Sequence, residues 1–131
     1  MSQSLKSVGA ITLFVEDRLR SKAFYEKVFD LPALYADEDA AGFKFENLIL
    51  NVLEVRAAHE LIDPAAVAAS ETGSRFQLTI WVEDADAMCA ELASRGVELL
   101  NGPMNRDWGV RTASFTDPDG HIWEIAAKIA A

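Results

Sequence analysis

One short segment occurs in both halves of this chain. Ile11–Asp17 (ITLFVED) recurs as Leu78–Asp84 (LTIWVED), and Thr, Val, Glu and Asp are identical at matching positions. Both copies are rich in β-branched and aromatic residues, which favour a strand. Each copy ends in an aspartate that is suited to cap a following helix. The repeat therefore predicts two strand–helix units within one chain.

A helical spacing of apolar residues follows each copy of the repeat. The first helix is predicted to end near Phe29 and Asp30, and Gly96 is predicted to be the left-handed cap of the second. The apolar residues expected on the buried sides of the two helices are Leu19, Ala23, Phe24 and Val28 in the first, and Ala85, Met88 and Leu92 in the second.

Three strand-like segments follow each helix. They are residues 33–35, 42–45 and 48–53 in the first half, and residues 97–100, 110–115 and 121–126 in the second. The turns predicted between them include 37–39, 46–47, 101–103 and 117–120, which are rich in Asp, Asn, Gly and Pro. Both halves thus have the order β-α-β-β-β. We predict one α+β domain, residues 1–131, made of two modules (about 5–56 and 75–128) joined by an Ala-rich linker, 57–74, with room for a short helix.

Charge and cysteine content exclude some partners. The 21 acidic and 12 basic residues give a formal net charge of −9, which argues against nucleic acid and anionic membranes as partners. Cys89 is the only cysteine, so no intrachain disulfide can form. Because the chain also lacks a long apolar run and a signal-peptide pattern, we expect it to be cytoplasmic.

Two motifs resemble those of a known family. The first is Thr12–Asp17 leading to Ser21–Tyr25, and the second is Phe115–Glu124, which contains Asp-Pro-Asp-Gly. Together they resemble the vicinal oxygen chelate superfamily, the fold of glyoxalases, bleomycin-resistance proteins and extradiol dioxygenases. The resemblance implies two βαβββ modules that form a cupped mixed sheet, with helices on the convex side, a ligand in the concave side, and usually a homodimer.

The resemblance also implies where the enzymes of this family would hold a divalent metal. The positions that match are Ala10, Asn51, Gln77 and Glu124. Only Glu124 is a strong ligand, and Ala10 has no donor atom, so the donor set is too weak to compete for a transition metal. We therefore predict no metal and no other cofactor, and favour a binding protein over an enzyme.

Alternation along the strands predicts which side chains line the cup. The candidate ligand-binding residues are Thr12, Phe14, Asn51, Gln77, Thr79, Trp81, Trp108, Arg111 and Glu124. Phe14 and Trp81 are equivalent in the repeat and are suited to flank a planar ligand. The favoured function is metal-free binding and sequestration of an aromatic antibiotic or toxin by a homodimer, as in the bleomycin-resistance branch. The alternative is a metal-dependent glyoxalase-type lyase or isomerase, or an extradiol-dioxygenase-like enzyme, with a non-standard metal site.

Structural alternatives accompany several of these candidates. Trp108 is suited to cover a ligand or to fill a dimer interface. Arg111 is suited to hold a ligand oxygen, but pairing with a turn carboxylate such as Asp117 or Asp119 is favoured.

Glu124 has two open interpretations, a bond with Gln77 or a bond with a ligand hydroxyl. Phe14 and Trp81 have the alternative of packing on each other. Residues 117–120 are predicted to be a turn without a catalytic role, and Cys89 a buried small hydrophobe.

Overall fold

The structure, a computed structural model, describes residues 4–129. The chain has two compact units, which divide between Val67 and Ala68. Each unit contains one β-α-β-β-β order. The elements of the first unit are β1 Ala10–Val15, α1 Arg18–Phe29, β2 Tyr35–Ala36, β3 Ala40–Lys44, β4 Ile49–Glu54 and α2 Val55–Ile62. The elements of the second are a single 3₁₀ turn, Ser70–Thr72, then β5 Gln77–Trp81, α3 Ala85–Ser94, β6 Asn101–Asn105, β7 Val110–Thr116 and β8 Ile122–Lys128.

Each unit forms its own four-stranded mixed sheet. The strand orders are β1-β4-β3-β2 and β5-β8-β7-β6. The first and last strands of each module lie side by side and pair in parallel, whereas the remaining pairs are antiparallel. The predicted α+β fold of two βαβββ modules is therefore confirmed. Within residues 4–129, no helix has the length and apolar character that crossing a membrane requires.

The repeated aspartates cap the helices as predicted. Asp17 Oδ1 accepts hydrogen bonds from the backbone N–H groups of Leu19 (2.9 Å) and Arg20 (3.2 Å). Asp84 Oδ1 accepts one from Ala87 (3.0 Å) at the start of α3. These bonds satisfy N–H groups that have no partner inside the first helical turn. At the other end, Gly96 follows α3 with a φ of 82°, as predicted.

The buried side of α1 differs from the prediction except at Val28, which is buried as expected. Leu19 is 63 % exposed, and the buried residues of the helix are Ser21, Tyr25 and Val28. The Tyr25 ring fixes this orientation, because it packs on Phe43 of β3 with ring centroids 5.7 Å apart. Ser21 is small and buried, which lets the helix lie close to the sheet. Apolar spacing alone missed this side, since it discounts a serine and an amphipathic tyrosine.

The predicted bounds of β6 and β2 were wrong. Residues 97–100 form no strand, and β6 begins at Asn101, inside the segment predicted to be a turn. The register shifts between Asn101 and Met104, which accommodates Gly102 and Pro103. Because β6 is an edge strand, Pro103 can lie in it without losing an interior ladder bond. Likewise, β2 is Tyr35–Ala36, later than the predicted 33–35.

Alternation gives each sheet two faces. The face that packs on α1 or α3 carries buried side chains such as Leu13, Val52, Trp123 and Ile125. We call the opposite side of each sheet its second face. The second face of the first module carries 10, 12 and 14 from β1 with 49, 51 and 53 from β4, and that of the second carries 77, 79 and 81 from β5 with 122, 124 and 126 from β8.

Candidate functional site

The second face of the first module carries a chain of three polar side chains. Thr12 and Asn51 are opposite each other in the β1–β4 ladder, and Asn51 Nδ2 donates to Thr12 Oγ1 (3.3 Å). Tyr35 reaches across from β2 and donates its hydroxyl to Asn51 Oδ1 (2.6 Å). The amide oxygen of Asn51 is thus engaged by Tyr35. Thr12 accepts the amide hydrogen and keeps its own hydroxyl hydrogen available.

Gly42 makes the position of Tyr35 possible. It pairs with Tyr35 on one side and with Asn51 on the other, and a Cβ at Gly42 would overlap the Tyr35 ring. Burial raises the pKa of Tyr35 above its ordinary value, and the charge of Asp37 raises it further, so the phenol stays a hydrogen-bond donor. Sequence reasoning did not select Tyr35 as a site residue. Gly42 is the sequence signal that could have found Tyr35, since a glycine inside a strand often marks a place where another group comes close to the backbone.

The second module repeats this arrangement with the opposite polarity. Thr79 and Glu124 are opposite each other in the β5–β8 ladder, at the positions equivalent to Thr12 and Asn51. Here the threonine donates, from Thr79 Oγ1 to Glu124 Oε1 (3.0 Å). The Gln77 bond considered for Glu124 is not formed, and Gln77 is opposite Ile122, two residues away along β8. Ser114 of β7 is opposite Glu124 on its other side.

The two repeated aromatic residues differ in exposure. Phe14 is partly buried opposite Leu53 of β4. Trp81 is opposite Ala126 and is 62 % exposed. An open cavity of about 650 Å³ lies beside it, lined by Trp81, Val82, Glu83 and Lys128. That the two rings flank a ligand, or pack on each other, stays a prediction.

Arg111 and Trp108 lie near the β6–β7 turn. Arg111 forms a two-bond ion pair with Asp86 of α3 (Nε–Oδ2 3.0 Å, Nη2–Oδ1 3.0 Å), and its Nη1 donates to Asn105 Oδ1 (3.1 Å). The predicted pairing with Asp117 or Asp119 is wrong. Arg111 is opposite Ala127, which puts it on the α3 face at the far end of β7 from that turn. Trp108 is 71 % exposed, and either of its proposed roles stays a prediction.

The 117–120 segment is a turn, as predicted, and it also fixes a histidine. Asp117 is buried, and its Oδ1 accepts from the backbone N–H groups of Asp119 (3.0 Å) and His121 (2.8 Å). Its Oδ2 lies 2.8 Å from His121 Nδ1. Burial lowers the pKa of His121 and is the largest single influence. The hydrogen bond and charge of Asp117, with the charge of Asp119, outweigh burial and leave the pKa raised. Sequence reasoning missed this pair.

A second charged cluster lies where β4 meets α2. Glu54 is buried and accepts a hydrogen bond from the backbone N–H of Arg18 (3.0 Å). It also forms ion pairs with Arg56 (2.8 Å) and Arg18 (3.3 Å). The Arg18 backbone bond lowers the pKa of Glu54 most, burial opposes it, and the two arginine side chains add to the lowering. These bonds join the start of α1 to the end of β4, so the cluster has a structural explanation.

The residues at the family's metal positions do not fit a divalent metal. Ala10 offers a methyl group, and the Asn51 oxygen already accepts the Tyr35 hydroxyl. Glu124 is then the one strong ligand of the four positions. Among residues 4–129, no group of three or more His, Cys, Asp and Glu side chains is placed to hold a metal ion. These four positions therefore do not supply the donor set of a divalent metal site.

Cys89 does not supply a reactive thiolate. Burial raises its pKa most, the charge of Asp86 raises it further, and Arg111 opposes both. The thiol is therefore protonated at neutral pH and weakly nucleophilic. Cys89 was predicted to be a buried small hydrophobe, but its side chain is only partly buried.

Residues 7–125 match the family described as the glyoxalase/bleomycin resistance protein/dioxygenase superfamily. The chain belongs to this superfamily. A crystal structure of a glyoxalase/bleomycin resistance protein/dioxygenase from Nocardioides superposes with a TM-score of 0.88 at 21 % identity, over 99 % of this chain and 88 % of that one. This similarity shows the shared vicinal oxygen chelate fold.

Two curated relatives in Bacillus and Lysinibacillus are similar over most of their length. Uncharacterized protein YraH of Bacillus subtilis (strain 168) is 30 % identical, over 88 % of this chain and 93 % of YraH. Metallothiol transferase FosB of Lysinibacillus sphaericus (strain C3-41) is 30 % identical, over 93 % of this chain and 82 % of FosB. The superfamily therefore includes both a named metalloenzyme and relatives without an assigned activity.

Proposed function

We propose that this protein binds an aromatic small molecule on the second face of a sheet and sequesters it without a resident metal. The observation that carries the proposal is the replacement of the first metal position by Ala10, because a methyl group cannot coordinate an ion. The hydrogen bond from Tyr35 to Asn51 supports it, because it occupies the oxygen that a metal would need.

The exposed ring of Trp81 supports an aromatic ligand. Its neighbours on the second face are a hydroxyl, a carboxylate and small apolar groups, which is the usual composition of a small-molecule site. An indole that is 62 % exposed leaves apolar area that a planar ligand would cover. We propose that Phe14, the equivalent residue of the first module, offers a ring at the same position on the second face of its own module.

A thermal-shift screen against aromatic antibiotics, quinones and flavins tests this function. A ligand at a hundred times its Kd should stabilise the folded protein by about 2.7 kcal/mol. Trp81→Ala should remove most of the shift, whereas Phe76→Ala, which removes another exposed ring, should keep it. If Trp81→Ala gives the full shift, the ligand binds elsewhere and the proposed site is wrong.

The second candidate function is a metal-dependent enzyme with a non-standard metal site. The name of the FosB relative, metallothiol transferase, favours it. Elemental analysis of protein purified without chelator, followed by titration with Mn²⁺, Ni²⁺ and Zn²⁺, separates the two functions. One tightly bound ion per chain, lost in Glu124→Gln, would refute the metal-free proposal and favour the enzyme.

Two further properties stay predictions. We propose a homodimer, with Trp108 at the ligand or at the interface, and light scattering on Trp108→Ala distinguishes these two places. Loss of the dimer would place Trp108 at the interface, whereas an unchanged dimer with weaker ligand binding would place it at the ligand. A cytoplasmic location rests on the sequence alone.

A further inference from the structure

Glu124 is a carboxylate that forms no ion pair within residues 4–129. It lies partly buried on the second face of the second module, and one of its oxygens accepts from Thr79. No basic residue among residues 4–129 forms an ion pair with it, although Arg18, Lys22, Arg56, Arg95 and Arg111 all pair with other carboxylates. A positively charged ligand group would therefore meet the second carboxylate oxygen without competing with an existing ion pair.

Arg106 is a cation in the same situation, on the same face. Its Nε donates to Thr112 Oγ1 (2.9 Å), and its Nη2 lies 3.5 Å from Asn101 Oδ1. Both partners are neutral, and Arg106 forms no ion pair within residues 4–129. The hairpin turn fixes its backbone, because Arg106 N–H donates to Val110 and Arg106 C=O accepts from Gly109.

The ladder brings the two charges close without pairing them. Thr112 is opposite Ala126, and Ser114 is opposite both Glu124 and Asn101. Thr112, which holds Arg106 Nε, therefore lies one strand across and two residues along from Glu124. Asn101, the other partner of Arg106, lies two strands across. Each charge is held by a neutral hydroxyl, and each keeps hydrogen-bonding capacity for another group. A ligand that carries both an ammonium group and an oxyanion would complement this arrangement.

Trp81 adds an apolar contact on the same face. It is two residues from Thr79 along β5 and opposite Ala126. A strand spacing of about 4.8 Å and a rise of about 6.6 Å for two residues place its Cβ roughly 8 Å from that of Glu124. Other charges beside the indole are Glu83 and Lys128, and Lys128 is four residues from Glu124 along β8, or about 13 Å. Lys128 forms no ion pair with Glu124 within residues 4–129.

We infer that the second module recognises an aromatic zwitterion. Its ammonium group would bind Glu124, its carboxylate or other oxyanion would bind Arg106, and its ring would pack on Trp81. This inference rests on the proposed function, because it names the chemical class of the aromatic ligand. It adds Arg106, which sequence reasoning did not select, to the residues of the site.

Four compounds that share an indole ring test the inference. They are tryptophan (both charges), tryptamine (ammonium only), indole-3-propionate (carboxylate only) and indole (neutral), and their Kd values are measured by isothermal titration calorimetry. We expect tryptophan to bind about tenfold more tightly than either singly charged compound. Glu124→Gln should abolish the advantage of tryptophan over indole-3-propionate. Arg106→Gln should abolish its advantage over tryptamine, and Arg106→Lys should restore part of that advantage.

Two control variants change the same charges elsewhere. Glu98→Gln and Arg75→Gln alter exposed residues outside this face, and they should leave all four Kd values within about twofold of the wild type. Equal effects of Glu98→Gln and Glu124→Gln would overturn the inference, because selectivity would then come from the net charge of the protein. Circular dichroism spectra of all variants establish that each one is folded.

The remaining outcomes separate the inference from the proposed function. If all four compounds bind equally and Trp81→Ala weakens all of them, the zwitterion inference is wrong and aromatic binding stands. If none of the four binds, the inference is wrong, and the function then depends on the thermal-shift screen alone.

Discussion

Removing the Asp117 carboxylate should lower the free energy of unfolding more than removing any exposed charge of the second module. Asp117→Ala deletes the acceptor of two backbone N–H bonds and of the bond to His121 Nδ1. The side chain of Asp117 is fully buried, so water cannot readily replace the lost acceptor. The turn between β7 and β8 then has unsatisfied donors at its centre.

The hydrogen bonds of Asp117 set the expected loss in the free energy of unfolding. A hydrogen bond to a charged group contributes about 1.5–3 kcal/mol, and a buried donor that is left unsatisfied costs about 1–3 kcal/mol. The three bonds share one acceptor and are not additive. We therefore expect Asp117→Ala to lower the free energy of unfolding by about 3–4 kcal/mol.

Asp37→Ala is the matched control. Asp37 also accepts two backbone N–H bonds in a turn, from Asp39 and Ala40 (both 2.9 Å), but it is exposed and has no histidine partner. Asp37→Ala should lower the free energy of unfolding by about 1 kcal/mol. Urea unfolding of wild type and both variants, followed by far-UV circular dichroism, gives the two differences. Equal losses would refute the reasoning, because burial of the carboxylate would then contribute nothing.

Three other changes have defined outcomes. Because the pKa of His121 is raised in the folded protein, protonation of its imidazole stabilises the fold. This stabilisation is fully present below the unfolded pKa of about 6.5 and is lost as the pH rises through the folded pKa. The unfolding free energy of the wild type measured from pH 5 to 9 should therefore fall relative to that of His121→Asn, and parallel curves would contradict this. Gly42→Ala should cost about 1–3 kcal/mol because the new methyl group displaces the Tyr35 ring, whereas Gly9→Ala, whose Cβ has open space, should cost under about 1 kcal/mol in the same urea assay. Phe43→Ala empties a fully buried site beside β4 and should cost about 3–5 kcal/mol in urea unfolding, and a loss under about 1 kcal/mol would show that the core collapses around it.

The sequence was enough for the fold because its signals are local or repeated. The duplicated strand and its capping aspartate are readable without any tertiary contact, and so is the turn at residues 117–120. The sequence signals for the edge strands were weaker. Gly102 and Pro103 have the composition of a turn, and only the pairing of β6 with β7 shows that they lie in an irregular strand.

The site was predicted only in part, for the same reason. Alternation placed Thr79 and Glu124 on one face, and the ladder pairs them as opposite residues. Tyr35, Arg111 and Arg106 owe their contacts to packing between segments far apart or to the shape of a turn. Tyr35 reaches Asn51 across Gly42, which depends on the β2–β3 register, and Arg111 meets Asp86 because α3 packs on β7. One-dimensional spacing contains no such information.

The duplicated threonines show how one fold can present different chemistry in its two halves. Thr12 accepts a hydrogen bond because its neighbour is the amide of Asn51, and its own hydrogen remains available to donate. Thr79 donates because its neighbour is the carboxylate of Glu124, and the second carboxylate oxygen remains available to accept. A single difference between the equivalent positions 51 and 124 therefore reverses the direction of the bond. Since backbone register and threonine are unchanged, the second faces of the two modules differ in polarity without differing in fold, which is why membership of the superfamily does not by itself determine function.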